Sequence, residues 1–208
     1  MKLQSKYIPL AATISLFAAM SVFGAVSYTG FLSPQVFLNL LIDNAFLVIV
    51  AVGMTFVILS GGIDLSVGSV VALSTIVLAK LVQHLHWDLM VAIPLVLAMG
   101  TLFGAFMGWL IQRFRLQPFI VTLAGMFLAR GLCYLISIDS ISITDEAYTV
   151  LAQTRLHLWS GGPMVSISAV LALVVLAAAV FVAHCTEFGR TVYAIGGSEH
   201  SAVLMGLP

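Results

Sequence analysis

Apolar positions along the chain fall into blocks, at residues 8 to 27, 40 to 59, 65 to 82, 89 to 111, 119 to 137 and 164 to 184, with short polar stretches between them. Each block is close to the roughly 20 residues that an α-helix needs to cross the hydrocarbon of a bilayer. The blocks are apolar all round rather than along one stripe, as lipid-embedded helices are. The pattern predicts an all-α, polytopic helical membrane protein with about six transmembrane helices. One interruption differs from the others. Ser60-Gly61-Gly62-Ile63-Asp64-Leu65-Ser66-Val67-Gly68-Ser69 concentrates glycines, hydroxyls and a carboxylate between two apolar blocks, and predicts a broken or re-entrant helix near 60–69.

The physics of that interruption makes it the leading candidate site. Glycines release the backbone from regular helix, and the freed N–H and C=O groups need partners that hydrocarbon cannot supply. Such a break is expected where protein or a water-lined cavity surrounds it, the arrangement by which many transporters form a path for solute.

Composition sharpens this. The chain is 62% hydrophobic and 8% charged, where soluble domains carry roughly a quarter charged residues, and its mean hydropathy is +1.17. Eight basic and eight acidic side chains balance, which leaves no electrostatic footprint for nucleic acid. Membrane lipid and other proteins are the partners to expect. Cys133 and Cys185 fall in different spans at opposite ends, too far apart for a disulfide, and are expected as free thiols. Lys2 and Lys6 precede the first block and small residues lie near Gly24, so a cleaved signal peptide is one reading. The length of the block favours an uncleaved first span.

Basic residues set the expected orientation. With a cytoplasmic N-terminus and alternating spans, Lys2, Lys6, Arg113, Arg115 and Arg190 lie inside, against Lys80 and Arg155 outside. Loops 28 to 39, 83 to 88 and 138 to 163 then face outward, while 60 to 64, 112 to 118 and 185 to 208 face the cytoplasm. In the long outer loop, Thr144 as a hydroxyl N-cap with Asp145 and Glu146 in the first turn predicts a short helix. Gly100, Gly104 and Gly108 predict a face that another helix approaches closely, and Pro94 a kink.

Polar residues inside the spans are costly unless paired or hydrated. They are Asp43 and Asn44 at the start of the second span, Asp64 and Ser66 after the glycine break, Thr122 entering the fifth span, and Arg130 past its middle. Together with Gly61 and Gly62 they form the candidate substrate pathway. Asp64 also reads as the N-cap of a helix beginning at Leu65, a role compatible with the first. Arg130 lies about 16 Å along its helix from Phe119, at the level of Asp43, so an ion pair between them is expected as a structural tie. His84, His86 and Asp88 read as an interfacial turn rather than a metal site. No HExxH, GxSxG or phosphate-cradling Gly-Lys-Ser/Thr run occurs, so the expectation is a non-enzyme without cofactor, any ATP being bound by a partner.

Several runs carry a resemblance. Asp43-Asn44-Ala45-Phe46-Leu47 and Ala51 to Ser69, then Pro118 to Met126 with Arg130-Gly131, then Phe188-Gly189-Arg190 with Tyr193-Ala194-Ile195-Gly196-Gly197, resemble the membrane permeases of ribose-type sugar ABC importers. The second span and Ala202-Val203-Leu204-Met205-Gly206 are similar to the galactofuranose branch of that family. The likeness covers nearly the whole chain.

That resemblance implies a subunit of a bacterial inner-membrane importer for a monosaccharide, galactofuranose or a related aldose. It implies an ABC ATPase subunit, a second permease subunit in a homo- or heterodimer, and a periplasmic sugar-binding protein. Residues 196 to 206 match the family's coupling segment, with Gly196, Gly197, Glu199, Ala202 and Gly206 as candidate ATPase contacts. Ser198 stands where the family often has Asn. On this reading residues 1–208 form one permease domain, partial relative to a larger ABC permease bundle, because the family continues past this segment and the chain stops at Pro208. An ion-coupled carrier or channel using Asp43, Asp64 and Arg130, or a non-functional fragment, is the alternative.

Overall fold

The computed structural model describes residues 8–157, 162–204 and 206, and the side chains of 8, 9, 199, 200 and 203 are outside that description. Lys2, Lys6, Met205 and Pro208 also lie outside the described residues.

Ten helices and one small hairpin come in order among the described residues. They are α1 (Ile8–Ser27), α2 (Pro34–Asp43), α3 (Ala45–Leu59), α4 (Val67–Ala79) continued by a π-helical turn (Lys80–His84), α5 (Leu89–Phe114), α6 (Pro118–Ile136), α7 (Glu146–Gln153), β1 (Arg155–His157), β2 (Met164–Ser166), α8 (Ile167–Cys185), α9 (Glu187–Gly197) and α10 (Glu199–Leu204). Five stretches (Leu10–Ser27, Val67–His84, α5, α6 and α8) are long and apolar enough to cross a bilayer, and the pair α2 and α3 forms a sixth if taken as one bent span. The protein is a polytopic helical membrane protein.

Helix ends follow their residues. Pro34 and Pro118 sit at the first turns of α2 and α6, where a missing N–H costs nothing. Asp88 accepts the Met90 amide at 2.8 Å and caps α5, which runs on past Pro94 to Phe114. In the long loop the cap of α7 is Asp145, whose carboxylate accepts the Tyr148 amide at 3.0 Å. This replaces the expected cap, Thr144, which is drawn elsewhere. Its amide donates to Gln83 Oε1 at 2.8 Å, and Gln83 Nε2 donates to its hydroxyl at 3.0 Å.

Two packed groups result. In one, α3 lies against α8 and α9, with α2 and the hairpin at its far end. Ala45, Val165, Ala169 and Ala172 form its buried centre. In the other, α4 lies against α6 and α5 around Leu81, Val82, Ala92 and Val96. The first centre relies on alanine, the pattern expected where lipid removes the hydrophobic drive between helices and close backbone packing replaces it, while the second has one alanine among larger side chains. The glycine face of α5 departs from expectation. A Cβ added at Gly100 would rest 3.9 Å from Ser74 and Val70 of α4, but one at Gly104 or Gly108 meets nothing within 4 Å.

The hairpin was not expected. Its strands pair antiparallel, Leu156 opposite Val165, and α2 holds its edge. Gln35 Nε2 donates to the Met164 carbonyl at 3.1 Å and Gln35 Oε1 accepts the Met164 amide at 2.8 Å. One side-chain amide thereby stands in for the next strand.

Candidate transport site

The helix stops at the glycine motif, and the way it stops is specific. Ser60 comes directly after the last residue of α3, Gly61 takes φ +79°, and the Gly62 and Gly61 amides donate to the Val57 and Ile58 carbonyls at 2.9 and 3.0 Å. This is the Schellman arrangement, in which a left-handed residue lets the chain fold back on the final turn and meet its orphan carbonyls. The amides of Gly61 and Gly62 therefore find partners within the final turn of α3, where the sequence suggested that water or another chain would be required.

The restart of the helix is equally local. Asp64 Oδ1 accepts the Ser66 amide at 2.8 Å and the Ser66 hydroxyl at 2.6 Å, an Asx-type turn that sets up α4. The helix begins at Val67 rather than Leu65, so Asp64 acts two residues ahead of the position expected for it. Ser66, Ser69 and Thr122 are all buried. The Thr122 hydroxyl donates to Pro118 O at 2.8 Å and approaches Ile63 O at 3.4 Å, tying the break to the first turn of α6.

On its other side the break meets α9. The Gly196 backbone lies so close to Leu59 that a Cβ built on it would fall onto the Leu59 carbonyl oxygen. Beside this contact the Phe56 and Phe188 rings stand 5.8 Å apart, and a cavity of about 130 Å³ opens between α3, α8 and α9, lined in part by Thr55, His184 and Tyr193. Thr186 secures the α8–α9 corner, donating to Val182 O at 2.6 Å and accepting the Gly189 amide at 3.3 Å.

The remaining pathway residues lie apart from this cluster. Asn44 marks the corner between α2 and α3, whose axes bend by 58°. It takes φ −106° and ψ 11°, and its side-chain amide donates to the Leu40 carbonyl at 2.8 Å. Asp43 is exposed beside it and Arg130 is exposed on α6. The expected Asp43–Arg130 ion pair is not formed, because α2 belongs with α8 and the hairpin while α6 belongs with α4. The ion pair found among the described residues is Arg190–Glu187, 3.7 Å, on the surface of α9. Gly197 meets nothing within 4 Å and Gly206 takes φ +75°. Ala202 is buried, and the side chain of Glu199 lies outside the described residues. Cys133 and Cys185 are free.

Comparison with known proteins gives the family. Residues 36–208 match the family described as branched-chain amino acid transport system / permease component. The chain belongs to that family. The chain is 48% identical, over 96% of its length and 60% of the relative's, to the inner membrane ABC transporter permease protein YjfF of Escherichia coli. It is 39% identical to the fructose import permease protein FruG of Bifidobacterium longum over the whole chain and 62% of the relative. It is 41% identical to the ribose import permease protein RbsC of Bacillus subtilis over 84% of the chain and 53% of the relative. The chain thus spans about 60% of the length of these first two relatives. No solved structure gives a significant match.

Sequence reasoning named the residues of the break and missed what they touch. The Gly196–Leu59 contact joins two glycine-rich segments far apart in the chain, and a glycine pair in each was its sole sequence signal. Gln35 and Gln83, polar residues at helix ends facing a long loop, were the overlooked signal for the two amide clamps.

Proposed function

We propose that this chain is a membrane-spanning component of an ATP-driven importer that carries a monosaccharide across the bacterial inner membrane. Its N-terminus lies in the cytoplasm, residues 138–163 form a periplasmic loop and 185–208 a cytoplasmic coupling segment. An ATPase subunit binds and hydrolyses the ATP, a second permease subunit completes the path, and a periplasmic binding protein delivers the sugar. Galactofuranose is the specific candidate, supported by the wording of the second span and of residues 202 to 206.

The observation that carries this reading is the meeting of the break with α9 at one end of the bundle, in a chain whose relatives are named as import permeases for ribose and fructose. Asp64, Ser66 and Thr122 line the break, and Gly61 and Gly62 shape it. Gly196, Gly197, Glu199, Ala202 and Gly206 belong to the segment that would lie on the ATPase. An ion-coupled carrier would draw its charged groups together, and Asp43 lies with α2 in one packed group while Asp64 and Arg130 belong to the other.

The test is uptake of radiolabelled galactofuranose, ribose and fructose in a strain that lacks its own permease but retains the ATPase and binding protein, paired with capture of the ATPase by the tagged chain. Uptake that requires the ATPase supports the reading. Inserted protein that captures no ATPase overturns it.

A further inference from the structure

We propose that Gly196 is the point at which the cytoplasmic segment grips the break, so that the position of α9 sets the conformation of residues 60 to 66. This rests on the coupling role proposed for residues 185–208 and names the contact through which that role reaches the bundle.

Leu59 is the last residue of α3, and its carbonyl is one of the acceptors that a helix terminus leaves without an intrahelical donor. The neighbouring carbonyls are taken: Phe56 by Ser60, Val57 by Gly62, Ile58 by Gly61. The Leu59 carbonyl receives no backbone amide among the described residues. It faces the Cα of Gly196 instead, at a separation that admits a hydrogen and excludes a methyl group, the geometry of a weak Cα–H···O contact. A contact between two backbones has no rotatable side chain to absorb displacement, so a tilt of α9 moves the Leu59 peptide with it.

The backbone beyond Leu59 is able to respond. Gly61 supplies a left-handed hinge two residues on, and the chain is anchored again at Asp64 and Ser66. The aromatic contact of Phe56 with Phe188 forms the other part of the seam with α3, beside a cavity, and Gly189 packs on the Ala183 carbonyl of α8, so α9 pivots at that corner while its Gly196 end bears on Leu59. Glycine is required at position 196 for closeness. At Gly197 a Cβ would meet open space.

The experiment is amide hydrogen exchange of residues 60 to 66 in the full chain in lipid nanodiscs, comparing Gly196→Ala with Gly104→Ala. Both replace a helical glycine, and position 104 is open. Exchange in Gly196→Ala should speed roughly tenfold, the scale set by loss of one close-packed contact, while Gly104→Ala leaves it unchanged. Equal rates in the two variants overturn the proposal. If Gly196→Ala does not accumulate, Phe56→Cys/Phe188→Cys in a Cys133→Ser/Cys185→Ser background, joined by a short bismaleimide, holds α9 on α3 with the glycine intact. Slower exchange at 60 to 66 on joining supports the contact, and no change overturns it. ATPase capture is measured on the same preparations: its absence in the unsubstituted chain, with the exchange response intact, counts against the coupling role, not against the contact.

Discussion

The carboxylate of Asp64 receives both polar hydrogens of Ser66, the amide at 2.8 Å and the hydroxyl at 2.6 Å. An amide oxygen accepts the same two bonds, whereas a methyl group accepts neither. Asp64→Asn should therefore keep the start of α4, and Asp64→Ala should cost about 1–2 kcal/mol, the usual loss for a helix-starting acceptor. Thermal unfolding in detergent measures both. If the Asn variant loses uptake while retaining its melting temperature, the negative charge itself serves transport.

Gly61 carries the only sharp reversal in the break. At φ +79° a side chain is strained by about 1–2 kcal/mol, less for asparagine, which tolerates this region. Gly61→Ala should lower the melting temperature, Gly61→Asn should lower it less, and Gly53→Ala, in a helical position with open space, should leave it level or raise it. An equal fall for Gly61→Ala and Gly53→Ala would contradict the Schellman closure.

At the corner of α2 and α3, the Asn44 amide covers the Leu40 carbonyl. Asn44→Leu removes that partner and offers a good helix former in its place. The expected result is a straighter α2–α3 rod, read as a longer distance between spin labels at Phe37 and Phe56 by pulsed electron paramagnetic resonance. An unchanged distance means that the packing of α2 on α8 and the hairpin, rather than Asn44, sets the bend.

The amide clamps make a fourth case. Gln35→Ala frees the Met164 edge and Gln83→Ala frees Thr144. Each exposed pair is worth about 1 kcal/mol, so limited proteolysis within the loop between α6 and α8 should quicken about fivefold in either variant. Global melting should change little. Uniform cleavage rates would mean that the loop is held by other contacts.

The spans were legible because length and hydropathy are local properties of a chain, and the blocks at 89 to 111 and 119 to 137 lie almost on α5 and α6. The stop at Ser60 was legible because glycines announce it. Which helices become neighbours was not, and the Asp43–Arg130 pairing failed for that reason: equal depth in a membrane does not place two helices side by side. The hairpin escaped notice because three-residue strands carry no alternation to read. At Asn44 a polar residue in an apolar block had two meanings, a lining group or a corner, and sequence alone offers no distance with which to choose.

Helix α3 owes its burial to α8 and α9, which the ribosome makes much later, after all of α4, α5 and α6. During synthesis α3 must therefore wait in the membrane, flanked by lipid or insertion machinery, while the α4–α6 group assembles from consecutive segments. The turn at Gly61 ends α3 before α4 begins, so the surface that α8 and α9 later cover is separate from the one that the α4–α6 group uses.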